Sequence, residues 1–441
     1  MIRSFLQVTA AVSALALAPI ATSAMAGVDS STYRELDIFM EVFNRVKAEY
    51  VDKVDDKKLV DGAIQGMLSA LDPHSSFADG LDFDNLKIQT EGEYGGLGLV
   101  VTEQDGAVKV IAPTEDTPAA RAGIKSGDFI THIDGKFIVG GTLDEAIQQM
   151  RGKPGTKITL TVVRPGADKP LTFGLVREVI VTKPVKWEVR QGVGYININT
   201  FTATTTTDTR NAIAEIEKKL GHKPLGYVVD LRANGGGLLS EAIGVSDIFL
   251  DRGEIVSQRG REKSDIERYY AESMVPGDLA KGLPVIVLVD AGTASASEIV
   301  AGALQDHHRA VVMGERSFGK GSVQSILQMG PRSALRLTTA RYYTPSGHSV
   351  QEGGIKPDLA VPQLSDPDYK SRPVLREADL RRHLINTAKA DDKLLEEDSK
   401  DDPRFTATAE ELKKKGIEDF QLNYAIDTIA RTGAAGRMAK K

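Results

Sequence analysis

The sequence of 441 residues predicts an α/β multidomain protein. At about 150 residues per domain, this length suggests two or three domains. The spacing of apolar residues also changes along the chain, from helical spacing to short β runs and then to strands alternating with helices. Such a mixture is typical of several packed layers of secondary structure rather than one repeated unit.

Composition narrows the functional classes. Hydrophobic residues make up 41% and charged residues 26%, which excludes a disordered chain. The formal net charge is −6 with no long basic block, which argues against a nucleic-acid partner. There is no cysteine, so disulfides, a thiolate nucleophile and cysteine-ligated zinc are excluded. The 42 glycines exceed the usual share of about 7% and predict tight turns and close backbone approaches.

The N-terminal residues 1–26 have the three-part pattern of a secretory signal peptide. Arg3 supplies a positive start, an apolar run extends over 8–20, and Ala24-Met25-Ala26 supplies the small residues of a cleavage site. The run is shorter than the roughly 20 residues that a membrane span needs. We therefore expect export to the bacterial periplasm, with an uncleaved membrane anchor as the alternative.

Residues 30–90 form a predicted helical region, because apolar residues recur at helical spacing in two stretches. The first stretch covers 32–50, and the second ends before Asp72-Pro73, since a residue preceding proline disfavours helix. Residues 91–178 form a β-rich module. Its predicted strands are 97–101, 108–112, 129–133, 158–163 and 171–176, and its predicted helices are 118–122 and 143–150.

Residues 179–372 form a third section in which strands and helices alternate. The predicted strands are 193–198, 227–231, 284–290 and 310–313, and the helices between them are 208–220, 238–250 and 295–305. Alternation of this kind predicts a largely parallel sheet covered by helices. Residues 373–441 are charged and predict helix with an exposed linker.

Three loops that follow strands of this section carry candidate chemistry. The first, Asn234-Gly-Gly-Gly237, leads into a helix and leaves backbone N–H groups unobstructed. The second, Thr293-Ala-Ser-Ala-Ser-Glu298, can expose a serine hydroxyl above the sheet. The third runs from Gly314 to Ser322 and contains Lys320 among small residues.

Lys320 has three interpretations. Gly314-x4-Gly319-Lys320 matches the start of a P-loop, but Gly321 stands where the P-loop needs serine or threonine. A surface lysine in a glycine turn is the second interpretation. The third is a buried lysine of lowered pKa that activates a serine, as in Ser/Lys variants of the catalytic triad. The seven histidines show no partner pattern and no His-Glu-x-x-His is present, which disfavours a zinc peptidase.

These loops resemble the carboxyl-terminal processing, or tail-specific, proteases. The resemblance rests on the second loop, on Phe318-Gly-Lys-Gly-Ser-Val-Gln324 and on the glycine loop, and extends to 71–77, 95–99 and 342–351. The family often has serine where this chain has Thr293. The roles that the resemblance implies are a nucleophile at Ser295, a lysine base at Lys320, a glutamine at Gln324 that positions the amine, oxyanion donors at Ala296 and at Gly236 or Gly237, and acidic neighbours at Glu298 and Asp306. For both acidic residues a plain helix surface is the alternative, and Ser297 is interpreted as a packing residue.

The β-rich module resembles a PDZ domain, in which Gly96, Leu97 and Gly98 would offer backbone N–H groups to a substrate's terminal carboxylate. The resemblance implies a secreted endopeptidase with a crotonase-like α/β core and a small β subdomain. It implies polypeptides with apolar C-termini as substrates, a homo-oligomer, an adaptor or regulatory protein as a further partner, and no cofactor. The alternative is a non-catalytic PDZ peptide-binding or chaperone protein.

Overall fold

The computed structural model describes residues 30–272, 277–386 and 402–438. The predicted signal peptide therefore lies outside the described residues. The chain divides into two units, 1–66 and 67–441. Two helices at the predicted positions, α1 (Ser30–Glu49) and α2 (Asp56–Ser69), account for most of the described part of the first unit. Within the described ranges, no helix has both the length and the apolarity to cross a membrane.

The remaining helices are α3 (Leu81–Glu91), α4 (Pro118–Arg121), α5 (Leu143–Met150), α6 (Thr205–Leu220), α7 (Leu239–Phe249), α8 (Ala296–Asp306), α9 (Ala409–Lys414) and α10 (Phe420–Met438). The strands are β1 (Ser76–Asp79), β2 (Glu93–Gly96), β3 (Leu99–Gln104), β4 (Ala107–Pro113), β5 (Phe129–Ile133), β6 (Lys136–Phe137), β7 (Lys157–Val163), β8 (Leu171–Val176), β9 (Glu178–Val181), β10 (Val185–Arg190), β11 (Val193–Ile198), β12 (Tyr227–Asp230), β13 (Arg252–Arg259), β14 (Ile266–Glu272), β15 (Val285–Val289), β16 (Val311–Gly314), β17 (Ser322–Gly330), β18 (Ser333–Tyr343) and β19 (Leu359–Ala360).

The β-rich module is an antiparallel sheet in the order β3-β4-β5-β7-β8, with β6 beside β5, while β2 pairs separately with β9. Strand β7 alternates inward and outward side chains, and Ile158, Leu160 and Val162 are buried. These residues join Ala146 and Met150 of α5 in one apolar core. The alternating pattern in the sequence therefore produces a half-buried sheet closed by one helix.

The central sheet of the larger section has the order β10-β11-β12-β15-β16-β19, and all its pairs except β10–β11 are parallel. Strands β12 and β15 are buried along their whole length, as expected for a parallel sheet covered on both faces. One face packs against helices α6, α7 and α8. The other face packs against α10 through Leu422, Ala425, Ile426 and Ile429.

The second sheet, β1-β18-β13-β14 with β17 on β18, is antiparallel and forms a smaller β layer. The predicted α/β multidomain class is confirmed, with the predicted strands and helices shifted by at most a few residues at their ends. The C-terminal region contains helices, as predicted. Its last helix, α10, is part of the core because it carries a buried apolar face.

Candidate active site

The three candidate loops meet at one edge of the central sheet. They follow β12, β15 and β16, which are neighbouring parallel strands, so their carboxyl ends lie side by side. There the loops line one cleft of about 480 Å³. Six of the sequence-predicted residues line this cleft: Ser295, Ala296, Gly236, Gly237, Lys320 and Gln324.

Ser295 occupies the turn between β15 and helix α8. Its backbone angles, a φ of 57° and a ψ of −117°, lie outside the regions that residues with a side chain usually adopt. The conformation is held by three hydrogen bonds. Its carbonyl oxygen accepts the N–H groups of Glu298 and Ile299, and its own N–H donates to the Glu298 carboxylate at 2.7 Å. A strained turn fixed in this way presents the hydroxyl to the cleft, and such strain is concentrated at functional sites.

The glycine loop lies directly against this turn. A Cβ placed on Gly236 would be 2.8 Å from the Cβ of Ser295 and 2.9 Å from the backbone nitrogen of Ala296. Gly237 has a φ of 149°, and a Cβ there would be 2.2 Å from the Phe201 carbonyl oxygen. The N–H of Gly236 donates to Asn234 Oδ1 at 2.9 Å. Of the two predicted alternatives for the second oxyanion donor, this bond favours Gly237.

Glu298 connects the serine turn to the lysine loop. Its side chain is fully buried and accepts four hydrogen bonds, from Ser317 Oγ at 2.5 Å and from the backbone N–H groups of Ser295 (2.7 Å), Gly319 (2.7 Å) and Lys320 (3.0 Å). Burial raises the pKa of Glu298 to about 7, although these four donors act in the opposite direction. The alternative of a plain helix surface is wrong for this residue.

Lys320 is half-buried at the wall of the cleft. Burial, and after it the neighbouring positive charge of Arg336, lower the pKa of Lys320 to about 8, although Glu377, Glu298 and Asp72 act in the opposite direction. The fully buried Tyr342 contacts both candidate residues. Its hydroxyl donates to the Lys320 carbonyl oxygen and lies within hydrogen-bonding range of the Ser295 hydroxyl.

A second buried carboxylate, Glu377, supports the lysine loop from the C-terminal region. Gln351 links the two, since its Oε1 accepts the N–H of Gly321 at 3.0 Å and its Nε2 donates to Glu377 at 3.1 Å. The N–H of Glu377 donates to the Phe318 carbonyl oxygen at 3.1 Å. His74 Nε2 lies 2.9 Å from both Glu377 carboxylate oxygens. The loop is therefore held on both sides of Lys320.

Two predicted site residues have different surroundings from those expected. Gln324 lines the cleft, but its Nε2 donates to Ser322 Oγ at 2.9 Å and to Thr338 Oγ1 at 3.3 Å. Asp306 lies at the far end of α8, outside the cleft lining, where it accepts the N–H of Ser346 at 2.8 Å. Ser297 is fully buried and donates to the Asn234 carbonyl oxygen, in agreement with its packing interpretation.

The β-rich module has its own groove, of about 160 Å³. Gly96, Leu97 and Gly98 line one wall, and Ile147 and Met150 of α5 line the other. The groove is therefore lined mostly by apolar side chains and by the backbone of two glycines. Its one charged lining residue is Arg151, whose guanidinium lies 5.2 Å from the Tyr94 ring and donates to Asn85. Two further arginines of this module pair with carboxylates, Arg121 with Glu178 and Arg164 with Asp128.

Tyr342, Arg336, Glu377 and Arg151 are among the residues at these sites that had no role assigned from the sequence. Tyr342 lies within the motif 342–351, which carried part of the resemblance, so a signal was present. Arg336, Glu377 and Arg151 follow no loop motif, and no local pattern marks them. They reach the sites only through strand pairing and tertiary packing.

A strained serine and a lysine of lowered pKa in one cleft, together with an apolar groove in the β-rich module, indicate a serine-type peptidase with a PDZ domain. The comparisons support that class. Residues 192–361 match Peptidase family S41, residues 95–175 match the PDZ domain, and residues 7–80 match the Activating protease CtpB N-terminal domain. Family membership favours the peptidase over the non-catalytic binding protein considered above.

Comparison with curated relatives identifies the family more narrowly. The chain is 48% identical over 403 residues to the carboxy-terminal-processing protease of Bartonella bacilliformis, covering 91% of this chain and 89% of that protein. It is 36% identical to carboxy-terminal processing protease CtpB of Bacillus subtilis, covering 80% and 72%. A solved photosystem II D1 C-terminal processing protease is 29% identical, covers 81% and 100%, and has a TM-score of 0.43. The chain belongs to the carboxy-terminal processing protease family.

Proposed function

We propose that this chain is an endopeptidase in which Ser295 is the nucleophile and Lys320 is the general base. The observation that carries the proposal is the shared cleft of these two residues, with the pKa of Lys320 lowered to about 8. A serine hydroxyl is a weak nucleophile unless an adjacent base accepts its proton. The neutral amine of Lys320 supplies that base within the same cleft.

The reaction has two halves. In the first, the Lys320 amine takes the proton of the Ser295 hydroxyl while Oγ attacks the scissile carbonyl carbon. The N–H groups of Ala296 and Gly237 then stabilise the negative oxygen, and one such donor typically contributes about 3 kcal/mol. The Lys320 ammonium protonates the leaving amine and an ester of Ser295 forms. In the second half Lys320 deprotonates water, which hydrolyses the ester and restores the serine hydroxyl.

Labelling with a serine-directed fluorophosphonate tests the nucleophile. We expect the reagent to modify Ser295 and to leave the Ser295→Ala variant unmodified and unable to cleave a denatured polypeptide. Ser297→Ala is the matched control, because Ser297 lies two residues away with its hydroxyl bonded to Asn234, and it should keep both properties. Cleavage by Ser295→Ala, or labelling at another residue, would refute the assignment.

We propose further that the PDZ groove captures free apolar C-termini. Most side chains that line the groove are apolar, and Gly96, Leu97 and Gly98 line one wall of it. Cleavage of one polypeptide with a free and with an amidated C-terminus tests this recognition, because amidation removes the carboxylate that those N–H groups would hold. The free form should be cleaved at least several-fold faster. Equal rates would refute tail recognition and leave the Ser/Lys chemistry untouched.

We propose export to the periplasm on the basis of the N-terminal pattern of residues 1–26. The intact mass of the chain recovered from a periplasmic extract should correspond to residues 27–441. A full-length mass confined to the cytoplasmic fraction would refute export. The homo-oligomeric state and the adaptor are further proposals that rest on the family alone, and light scattering of the purified chain measures the first.

A further inference from the structure

The face of strand β18 opposite Tyr342 carries a cluster of polar side chains that is separate from the cleft. In the pairing of β18 with β13, Arg341 lies directly opposite Arg259 and Tyr343 lies opposite Ser257. Direct partners in an antiparallel pair share one face, and alternate residues along a strand share it too. A β-bridge joins Tyr343 to Ser349. We call these five residues the arginine cluster.

Four buried polar atoms of the arginine cluster have no hydrogen-bond partner: Nε of Arg259, Nε of Arg341, Oγ of Ser257 and Oγ of Ser349. More than 90% of buried polar groups in native proteins are hydrogen-bonded, so four such atoms at one place require an explanation. An arginine Nε–H can only donate, and a serine hydroxyl can donate as well. All four atoms can therefore donate to an acceptor-rich group.

The two positive charges of the arginine cluster also favour an acceptor-rich, negatively charged partner. Within the described ranges, neither Arg259 nor Arg341 forms an ion pair, and the Arg259 guanidinium instead stacks 3.9 Å from the centre of the Tyr343 ring. Like charges directly opposite each other in a sheet destabilise it. Three other shielded arginines pair with a carboxylate, Arg164 with Asp128, Arg232 with Asp230 and Asp419, and Arg309 with Asp278. The buried Arg177 instead donates to carbonyl oxygens, so each of these arginines has acceptors around it.

We propose that the arginine cluster is a binding site for a small oxyanion, a carboxylate or a phosphate, that bridges the two guanidinium groups. The planar guanidinium fork matches the spacing of carboxylate and phosphate oxygens and binds them in bidentate fashion. Water could accept the N–H groups but could not offset the repulsion between two positive charges. Both arginine residues are only half-buried and so are partly open to solvent, although their Nε atoms are covered.

An anion bound here would join strands β13 and β18 behind Tyr342. Strand β17 also pairs with β18 next to the arginine cluster, where Ser322 lies opposite Arg341. The site therefore lies on the strand that presents Tyr342 to the cleft, although the proposal does not depend on the catalytic roles. Because the anion binds only the folded chain, its occupancy should raise the free energy of unfolding.

Thermal unfolding of the full chain in increasing inorganic phosphate, with sodium chloride added to hold the ionic strength constant, tests the proposal. The wild-type midpoint should rise and saturate. Arg259→Gln and Arg341→Gln should each weaken the apparent phosphate affinity at least ten-fold. Arg261→Gln is the matched control, since it removes one exposed positive charge from the loop between β13 and β14, and it should respond as the wild type does.

A parallel titration with acetate identifies the chemistry. A saturating rise with acetate assigns the site to carboxylates as well, and a rise with phosphate alone assigns it to phosphate. Arg259→Lys keeps the charge but loses the fork, so it should bind more weakly than the wild type even if the glutamine variants fold poorly. No saturable rise with either anion in the wild type, or an equal rise in Arg259→Lys, would overturn the proposal and leave ordered water as the partner.

Discussion

The pH dependence of activity should report the pKa of Lys320 and should move in opposite directions when its two charged neighbours are changed. The pKa is lowered from 10.5 to about 8, with burial as the first cause. At pH 7 this shift makes roughly one lysine in ten neutral, compared with about one in three thousand at the ordinary value. The surroundings of Lys320 therefore make its neutral amine about three hundred times more abundant at pH 7.

The assay is kcat/KM for a peptide substrate from pH 6 to 10, since this quantity follows the ionisation of the free enzyme. The kcat/KM of the wild type should rise with pH along a limb whose midpoint lies near pH 8. Arg336→Gln removes a positive charge that lowers the pKa, so its limb should move to higher pH. Glu377→Gln removes a negative charge that raises the pKa, so its limb should move to lower pH.

Two controls separate this explanation from general damage. Lys320→Arg should be inactive at every pH because arginine stays protonated, while Lys263→Arg on an exposed turn should behave as the wild type. His308→Gln should also keep the limb. Limbs that move in the same direction in the Arg336 and Glu377 variants, or an active Lys320→Arg, would refute the reasoning.

Stability gives an independent check. Because the folded pKa of Lys320 lies below its unfolded value of 10.5, the charged amine destabilises the folded state below pH 8, and this penalty disappears as pH rises towards 10.5. Lys320→Met should therefore raise the free energy of unfolding at pH 7 by up to about 3 kcal/mol. The gain should vanish near pH 10.5. Denaturant titration at both pH values measures it, and an equal gain at both would contradict the lowered pKa.

Three further predictions concern the surroundings of the nucleophile and the groove. Glu298→Gln replaces a carboxylate that accepts four hydrogen bonds by an amide that also donates. We therefore expect kcat to fall at least about a hundredfold, and a kcat within threefold of the wild type would contradict the positioning role of Glu298. Gly236→Ala places a Cβ 2.8 Å from that of Ser295, so kcat should fall more than KM changes, and normal turnover would show that the loop can retreat. Leu97→Asp puts a charge at a buried position that lines the groove, which should weaken binding of a free C-terminal peptide by about tenfold or more in fluorescence titration. Unchanged affinity would place the peptide elsewhere.

Much of the local structure could be predicted from the sequence. The strands Phe129–Ile133 and Val193–Ile198 and the helix Leu143–Met150 have the bounds that their apolar spacing predicts. The loops after β12, β15 and β16 were also recognisable, because glycine, serine and lysine between a buried strand and the next element form local patterns. Parallel strands then bring such loops to one edge, whatever their distance along the chain.

The sequence by itself therefore determined the order of the predicted elements and six of the residues that line the cleft, since both depend on local spacing and on chemistry within one loop. Only the tertiary structure decided the state of those residues. The pKa of Lys320 depends on Arg336 and Glu377, which reach it through strand pairing and through a segment packed from the C-terminal region. The pairing of Arg259 with Arg341 depends on strand register. Electrostatic and hydrogen-bond partners are set by distance in space, and no periodicity along the chain records that distance.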